Sequence, residues 1–427
     1  MEVIHYKRID EKLYFEELDN GLKVFLLPKV GFSKSYGLFS THFGSIDTEF
    51  VPINQSAMVK VPDGIAHFLE HKMFEMEDGD VSEKFARLGA NTNAFTSSAR
   101  TAYLFNTTSN VTECIELLLD FVQDIYLTNE SVEKEKGIIN QEIGMYDDDP
   151  DWRCYFGSIQ NLYHNHPVKV DIAGDCDSVN STDKDTLEMC YHTFYHPKNM
   201  MLFIVGNIDP TETLELIKQN QSKKYFKPDF VVERQAYKEP DSVYKKEEIL
   251  KMDVGMPKIM VSIKINDIPK TPKERLKRDL SMNILLDLLF AKSSSLYEEW
   301  THKGIVNDSF YGSFTQERDY SFIQMGGDTP FVYELRKELF EFISNISSYK
   351  ITEDEFERVK RKNIGSIISL FNSPESIANL FSRYYFDGIM IFEFIDVITH
   401  LTIDDIYSLY YLFDLDYTSS FIIEENH

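Results

Sequence analysis

Asp63-Gly64-Ile65-Ala66-His67-Phe68-Leu69-Glu70-His71 sets a turn-forming pair ahead of an apolar-periodic stretch, and its reading decides the fold. Asp63-Gly64 is read as the cap of a helix starting near Ile65. On that helix His67 and His71 are four residues apart, so their imidazoles lie one above the other on one face. Two neutral nitrogen donors so placed can take one Zn²⁺. Glu70 stands one turn from His67 and beside His71, close enough to reach water at the ion without occupying the metal. Ordinary core or surface histidines are the bland alternative, and such a five-residue pattern arises by chance in about a few chains per hundred of this length. A third ligand decides. Residues 132–146 offer Glu133, Glu135 and Glu142, of which Glu135 and Glu142 are seven apart and share a helical face; alone, any of them reads as part of a solvated acidic face.

Working outward, residues 21–27 and 35–43 read as strands, with Asp19-Asn20-Gly21 as a tight turn between hairpin arms. Helical patterns follow at 65–75, 82–88, 111–124, 131–146, 152–163 and 183–194, then a short strand at 199–205 and a helix at 210–220. Residues 223–248 are polar and charged, include Pro228 and Pro240, and read as a linker. The second half repeats the grammar. It has strands at 258–265, 309–314, 321–324 and 419–423, and helices at 273–289, 331–343, 352–370 and 374–386. The expected fold is therefore α+β with two structurally similar domains, each a mainly antiparallel sheet packed with helices. The expected domains are 1–222, carrying the metal motif, and 249–427, joined by the linker 223–248.

The bulk properties agree with a globular chain. Its 427 residues exceed one ordinary domain, and 43% hydrophobic residues suffice for buried cores. A formal net charge of −26 argues against nucleic acid or an anionic membrane as partner and favours neutral or cationic ones. The N-terminus lacks the apolar core of a signal peptide, and no run reaches the roughly 18 apolar residues of a membrane span. Cys114, Cys154, Cys176 and Cys190 lack C-x-x-C spacing and read as small buried side chains in a reducing, cytoplasmic setting.

The motif and its surroundings resemble the inverzincin family of pitrilysin, insulin-degrading enzyme and mitochondrial processing peptidase. The resemblance rests on His67-Phe68-Leu69-Glu70-His71 followed by Glu142, on Gly64-Ile65-Ala66, and on Asn93-Ala94-Phe95-Thr96-Ser97. It extends to Asp149-Pro150, His166-Pro167, Gly174 and Tyr195-His196-Pro197-Lys198-Asn199-Met200. It is specific over residues 13–210, weak beyond, and nearest to single-size bacterial processing peptidases that work as paired subunits. It implies one Zn²⁺ per chain held by His67, His71 and Glu142, with Glu70 as general base and Glu135 as a supporting carboxylate. It also implies that Asn93, Ala94, Phe95 and Thr96 form an edge strand to which an extended peptide adds. The implied activity is endopeptidase cleavage of peptides or leader and targeting segments, inside a clam-shell chamber of which this chain is half.

The second half departs from the family. Where an Arg and a Tyr of a block like Arg-Glu-x-x-Gly-Leu-x-Tyr would bind substrate, Lys303-Gly304-Ile305 fits, but no Arg precedes it and Asn307 replaces the Tyr. Tyr311 is out of register. A homologous partner subunit supplying the Arg and Tyr, or a second copy of the chain, is therefore expected. Two rivals remain: a non-catalytic subunit of a peptidase-like assembly, and an acidic peptide-binding module with a structural zinc. The first is expected to lose a motif residue, and the second to close its site with a fourth protein ligand.

Overall fold

Leu22-Lys23-Val24-Phe25-Leu26-Leu27 is apolar at nearly every position, as expected of a strand covered on both faces. In the computed structural model, which describes residues 1–227 and 231–426, it forms Lys23–Pro28 inside a seven-stranded sheet. The strand order is Glu2–Tyr6, Glu11–Glu17, Lys23–Pro28, Met200–Gly206, Ser35–Thr41, Thr101–Thr107 and Asn91–Thr96. Only Lys23–Pro28 and Met200–Gly206 run parallel; the other pairs are antiparallel. Asn91–Thr96 is the terminal strand and leaves one edge of its backbone open.

A five-stranded sheet in the second half is ordered Glu247–Met252, Thr418–Glu425, Lys258–Lys264, Ser321–Asp328 and Tyr311–Gln316. Its pairing follows the same rule as the last five strands of the first, from Lys23–Pro28 to Asn91–Thr96. In each, the first strand in chain order is parallel to the fifth, and every other neighbour is antiparallel. The two domains share one topology.

The compact units do not follow the contiguous division expected from sequence. One comprises Met1–Gly144, Val170–Ala236 and Leu370–Phe386; the other comprises Met145–Lys169, Tyr237–Ser369 and Asp387–His427. Each unit thus holds one helix drawn from the other's stretch of sequence. Pro150–Leu162 belongs with the five-stranded sheet, where Phe421 lies so close to Gly157 that an added Cβ would stand 2.3 Å from its ring. Ser158 there accepts a hydrogen bond from Gln324 at 2.7 Å. Pro374–Tyr385 belongs with the seven-stranded sheet, where Phe381 meets Phe25 at 4.8 Å and Phe203 at 4.5 Å between ring centroids. Both helices open on Pro in the first turn behind a side-chain cap, Asp149 and Ser373.

The stretch read as a linker is anchored rather than free. Glu233–Arg234 pairs with Glu49–Val51, and Arg234 meets the buried Asp47 at 2.6 Å. Glu239 accepts the backbone N–H groups of His164, Asn165 and His166 at 2.6–2.9 Å and the Lys264 ammonium at 2.9 Å. Hydrogen bonds to a charged group contribute about 1.5–3 kcal/mol each, so a polar composition here reflects fixed partners, not slack. Pro228 lies outside the described residues. Among the described residues, no helix is long and apolar enough to cross a membrane.

Candidate metal centre

The motif helix is Ile65–Lys72, shorter than the 65–75 expected, because Glu75–Met76 turns into a short strand. Its N-cap is Gly64, with φ +78° and no side-chain cap hydrogen bond, so the expected Asp63-Gly64 cap works through the backbone alone. Glycine is required there for two reasons. The positive φ disfavours any other residue, and a Cβ would stand 2.1 Å from the carbonyl oxygen of Ala173. Gly174 mirrors it, with φ +75° and a Cβ position 2.6 Å from the Asp63 carbonyl oxygen. The two loops touch backbone to backbone, which sets the start of the motif helix.

From that start, His67 and His71 project to one side, with ring centroids 4.6 Å apart. Glu142 arrives from Asn129–Asp148, a helix that buries little besides Val132, Ile139 and Ile143. Its carboxylate oxygens lie 3.7 Å from His67 Nε2 and 3.4 Å from His71 Nε2. The three donor atoms all fall within 4.8 Å of one another. Two ligands about 2.0–2.2 Å from one tetrahedral zinc stand about 3.3–3.6 Å apart, a spacing the two His–Glu142 separations approach. The donor set also fits: two neutral imidazoles and one carboxylate are the open three-ligand arrangement of a catalytic zinc site. His67 Nδ1 is buried with no hydrogen-bond partner among the described residues.

The electrostatics divide the two histidines. Burial, then the neighbouring His71, pulls His67 down to about 4, holding it neutral as a ligand must be. Burial opposes charge on His71 as well, but hydrogen bonds to Glu135 and Glu142 outweigh it and push that ring up to about 9. A proton on His71 thus stands where a cation would. Glu135 accepts from His71 Nδ1 at 3.0 Å. Burial tends to raise its carboxyl, but His71 and Lys72 hold it below the ordinary value.

Glu70 is not one of the three clustered donors, though His71 and Glu142 both act on its charge. Its carboxylate accepts the Thr96 hydroxyl at 2.6 Å, and burial, opposed by that bond, raises its pKa. Thr96 is the last residue of the terminal strand Asn91–Thr96, so Glu70 is pinned to the end of the open edge. Asn93 is turned onto its own strand, accepting the Ala94 N–H at 2.9 Å. Phe95 is half-buried beneath the Arg100 guanidinium, 5.3 Å from its ring centroid.

In the second unit Asn307 is consumed locally. Its amide donates to the Asp328 carbonyl at 2.9 Å, and its oxygen accepts from Ser309. Lys303 is held by Glu299 and Glu338, both at 2.8 Å. Neither offers the free donor that the family block would supply. The sequence reading passed over Lys72, whose place was visible: Ile65, Phe68, Leu69 and Lys72 follow the i, i+3, i+4, i+7 pattern of a buried stripe.

Comparisons with known proteins bear on the chain as a whole. Residues 60–175 match the family model described as Insulinase (Peptidase family M16), and residues 181–363 match Peptidase M16 inactive domain. A Bacillus subtilis protein described as "Uncharacterized zinc protease YmfH" is 48% identical over 94% of this chain and 94% of its own length. The crystal structure of an M16-like peptidase from Alicyclobacillus acidocaldarius is 33% identical and superposes with a TM-score of 0.93, covering 97% of this chain and 99% of that one. The periplasmic protease PqqL from Escherichia coli shares the fold at 18% identity and a TM-score of 0.74, with 97% of this chain matching 47% of that one.

Proposed function

We infer that this chain, which belongs to the insulinase family (peptidase family M16), is a zinc-dependent endopeptidase whose site is completed by a partner subunit. The observation that carries the reading is the convergence of His67, His71 and Glu142 within 4.8 Å, with Glu70 held beside them at the end of an open sheet edge. In this reading those three residues hold one zinc per chain. When bound, the ion supplies the Lewis acidity that activates water and polarises the scissile carbonyl. Glu70 takes the proton of the attacking water and delivers it to the leaving amine. Its burial, which raises its pKa, brings it nearer the range in which a carboxylate both accepts and returns a proton. Thr96 keeps its carboxylate aimed.

The edge Asn91–Thr96 takes an extended peptide by backbone hydrogen bonding, which demands little of the peptide's side chains. Asn93 must leave the Ala94 N–H for that pairing to run the length of the strand. The net charge of −26 supports a preference for basic segments such as leader peptides. The cytoplasmic setting is part of the same proposal, supported by four cysteines without a disulfide.

Two observations support a partner. Asn307 and Lys303 are engaged locally in the second unit, and PqqL has about twice this chain's matched length. A homologous subunit carrying the Arg and Tyr, or a second copy, would then make up the other half of the chamber. The match of residues 181–363 to a model described as inactive favours one alternative, a non-catalytic subunit of such an assembly. Glu70→Gln decides between them: the proposal expects zinc to be retained and cleavage of a mixed-peptide digest to vanish. Cleavage at the parent rate, or none in either protein with any partner, would overturn it.

A further inference from the structure

Lys72 is the residue after the motif, and its exposure is 0%. A buried ammonium is costly, and a well-packed apolar side chain of similar volume is often neutral or more stabilising in its place. Its packing position, on the apolar stripe with Ile65, Phe68 and Leu69, would accept methionine or leucine. Stability alone therefore does not explain a lysine.

Its partners do. The ammonium pairs with Glu75 just beyond the helix, lies 3.5 Å from the Ser131 carbonyl oxygen and 3.8 Å from Glu135 Oε2. Ser131 lies in the first turn of the helix that carries Glu135 and Glu142, so Lys72 ties the motif helix to that turn. The other oxygen of Glu135 receives His71 Nδ1 at 3.0 Å. One carboxylate thus lies between two partners: the ammonium stands as an ion pair 3.8 Å from Oε2, and Oε1 faces the imidazole.

We propose that Lys72 is a positioning residue: acting through Glu135, it fixes the orientation of His71. The inference rests on the zinc-site reading above. Two effects of the ammonium on a cation oppose each other. Orientation of the ligands strengthens zinc binding, whereas the like charge weakens it. Outer carboxylates that orient metal ligands are worth about 10–100-fold in metal affinity, and the proposal holds that orientation wins.

The test is zinc affinity of the full chain, by competition with a chromophoric chelator, for the parent, Lys72→Met, Glu135→Gln and the double variant. Lys72→Met is expected to weaken zinc about 10–100-fold while the metal-free protein melts no lower than the parent. In the Glu135→Gln background the same change is expected to cost little more. Unchanged or tighter zinc binding in Lys72→Met overturns the proposal, because the ammonium would then act as a mere counter-charge. So does an equal loss in both backgrounds, which marks a structural role independent of Glu135. Should Lys72→Met not fold, Lys72→Gln keeps a donor for Ser131 and is read by the same outcomes. A parent chain that binds no zinc would sink the proposed function instead, and the two failures are therefore distinct.

Discussion

The two units share a strand order and differ in what their helices carry. The connection from Ser35–Thr41 to Asn91–Thr96 holds Ile65–Lys72, with its two histidines; the equivalent connection from Lys258–Lys264 to Tyr311–Gln316 holds Pro272–Phe290, which has none and is buried through Leu276, Leu280, Ile284 and Leu288. The long helix that follows the fourth strand's first helix is Asn129–Asp148 in one and Glu353–Leu370 in the other. Counting back eight residues from Pro150 and from Pro374 gives Glu142 and Ser366; counting back fifteen gives Glu135 and Val359. Val359 is buried at 2% exposure, and Ser366 bonds back to the Lys362 carbonyl of its own helix. One topology thus carries the cluster of His67, His71 and Glu142 on helix faces whose counterparts include a buried Val359 and an exposed Ser366. The chemistry belongs to those faces, not to the sheet.

That contrast can be broken at its centre first. Glu70→Gln is expected to lower kcat/KM on a fluorogenic peptide by about 10²–10⁴, with zinc content unchanged. Next, Glu142→Ser gives the first unit the residue the second has, and is expected to weaken zinc by more than about a hundredfold, beyond the loss of an outer carboxylate. Competition titration reads it directly.

The pH dependence of zinc binding follows with a definite sign. Hydrogen bonds to Glu135 and Glu142 push His71 up to about 9 in the metal-free chain, and zinc must displace that proton. Apparent affinity should therefore weaken about tenfold for each unit the pH falls below about 9. A raised pKa stabilises the metal-free fold fully below the unfolded value of about 6.5, and that contribution is lost as pH rises through about 9. The rise in melting temperature on adding zinc should accordingly grow across the same window.

The exchanged helices offer a smaller effect of a different kind. Phe381 packs on Phe25 and Phe203 in the first unit, so Phe381→Ala should destabilise it by about 3–5 kcal/mol, read by denaturant unfolding. Smallest of all, Ser366→Glu restores a carboxylate to the second unit's counterpart position. With no histidine on Pro272–Phe290 it should create no zinc site and change stability by about 0.5 kcal/mol or less.

What the sequence made legible follows from range. His67 and His71 are four apart on one helix, so local periodicity alone places them together. Glu142 is 71 residues from His71, a distance over which periodicity is silent. Three glutamates of its helix competed, and family resemblance singled one out. Glu70 was visible as a neighbour of the ligands, but its bond to Thr96 joins a helix to a strand and left no local mark. Period and turn signals located Lys23–Pro28, Ser35–Thr41 and Met200–Gly206, but missed Glu2–Tyr6, Thr101–Thr107, Glu247–Met252 and the helix Ser295–His302. The exchange of Pro150–Leu162 and Pro374–Tyr385 was not readable, because contiguity says nothing of which sheet a helix covers. The segment 223–248 read as a linker because its anchors, Arg234 on Asp47 and Glu239 on Lys264, are charged pairs between distant residues. Composition scores such residues as solvent-facing.

The most direct measurement is zinc-edge anomalous diffraction from crystals of the zinc-loaded chain. One peak per chain should appear about 2.0–2.2 Å from His67 Nε2, His71 Nε2 and a Glu142 oxygen, with none in the second unit. A peak elsewhere, or a Glu142 side chain turned away from an ion on the two histidines, would contradict the account.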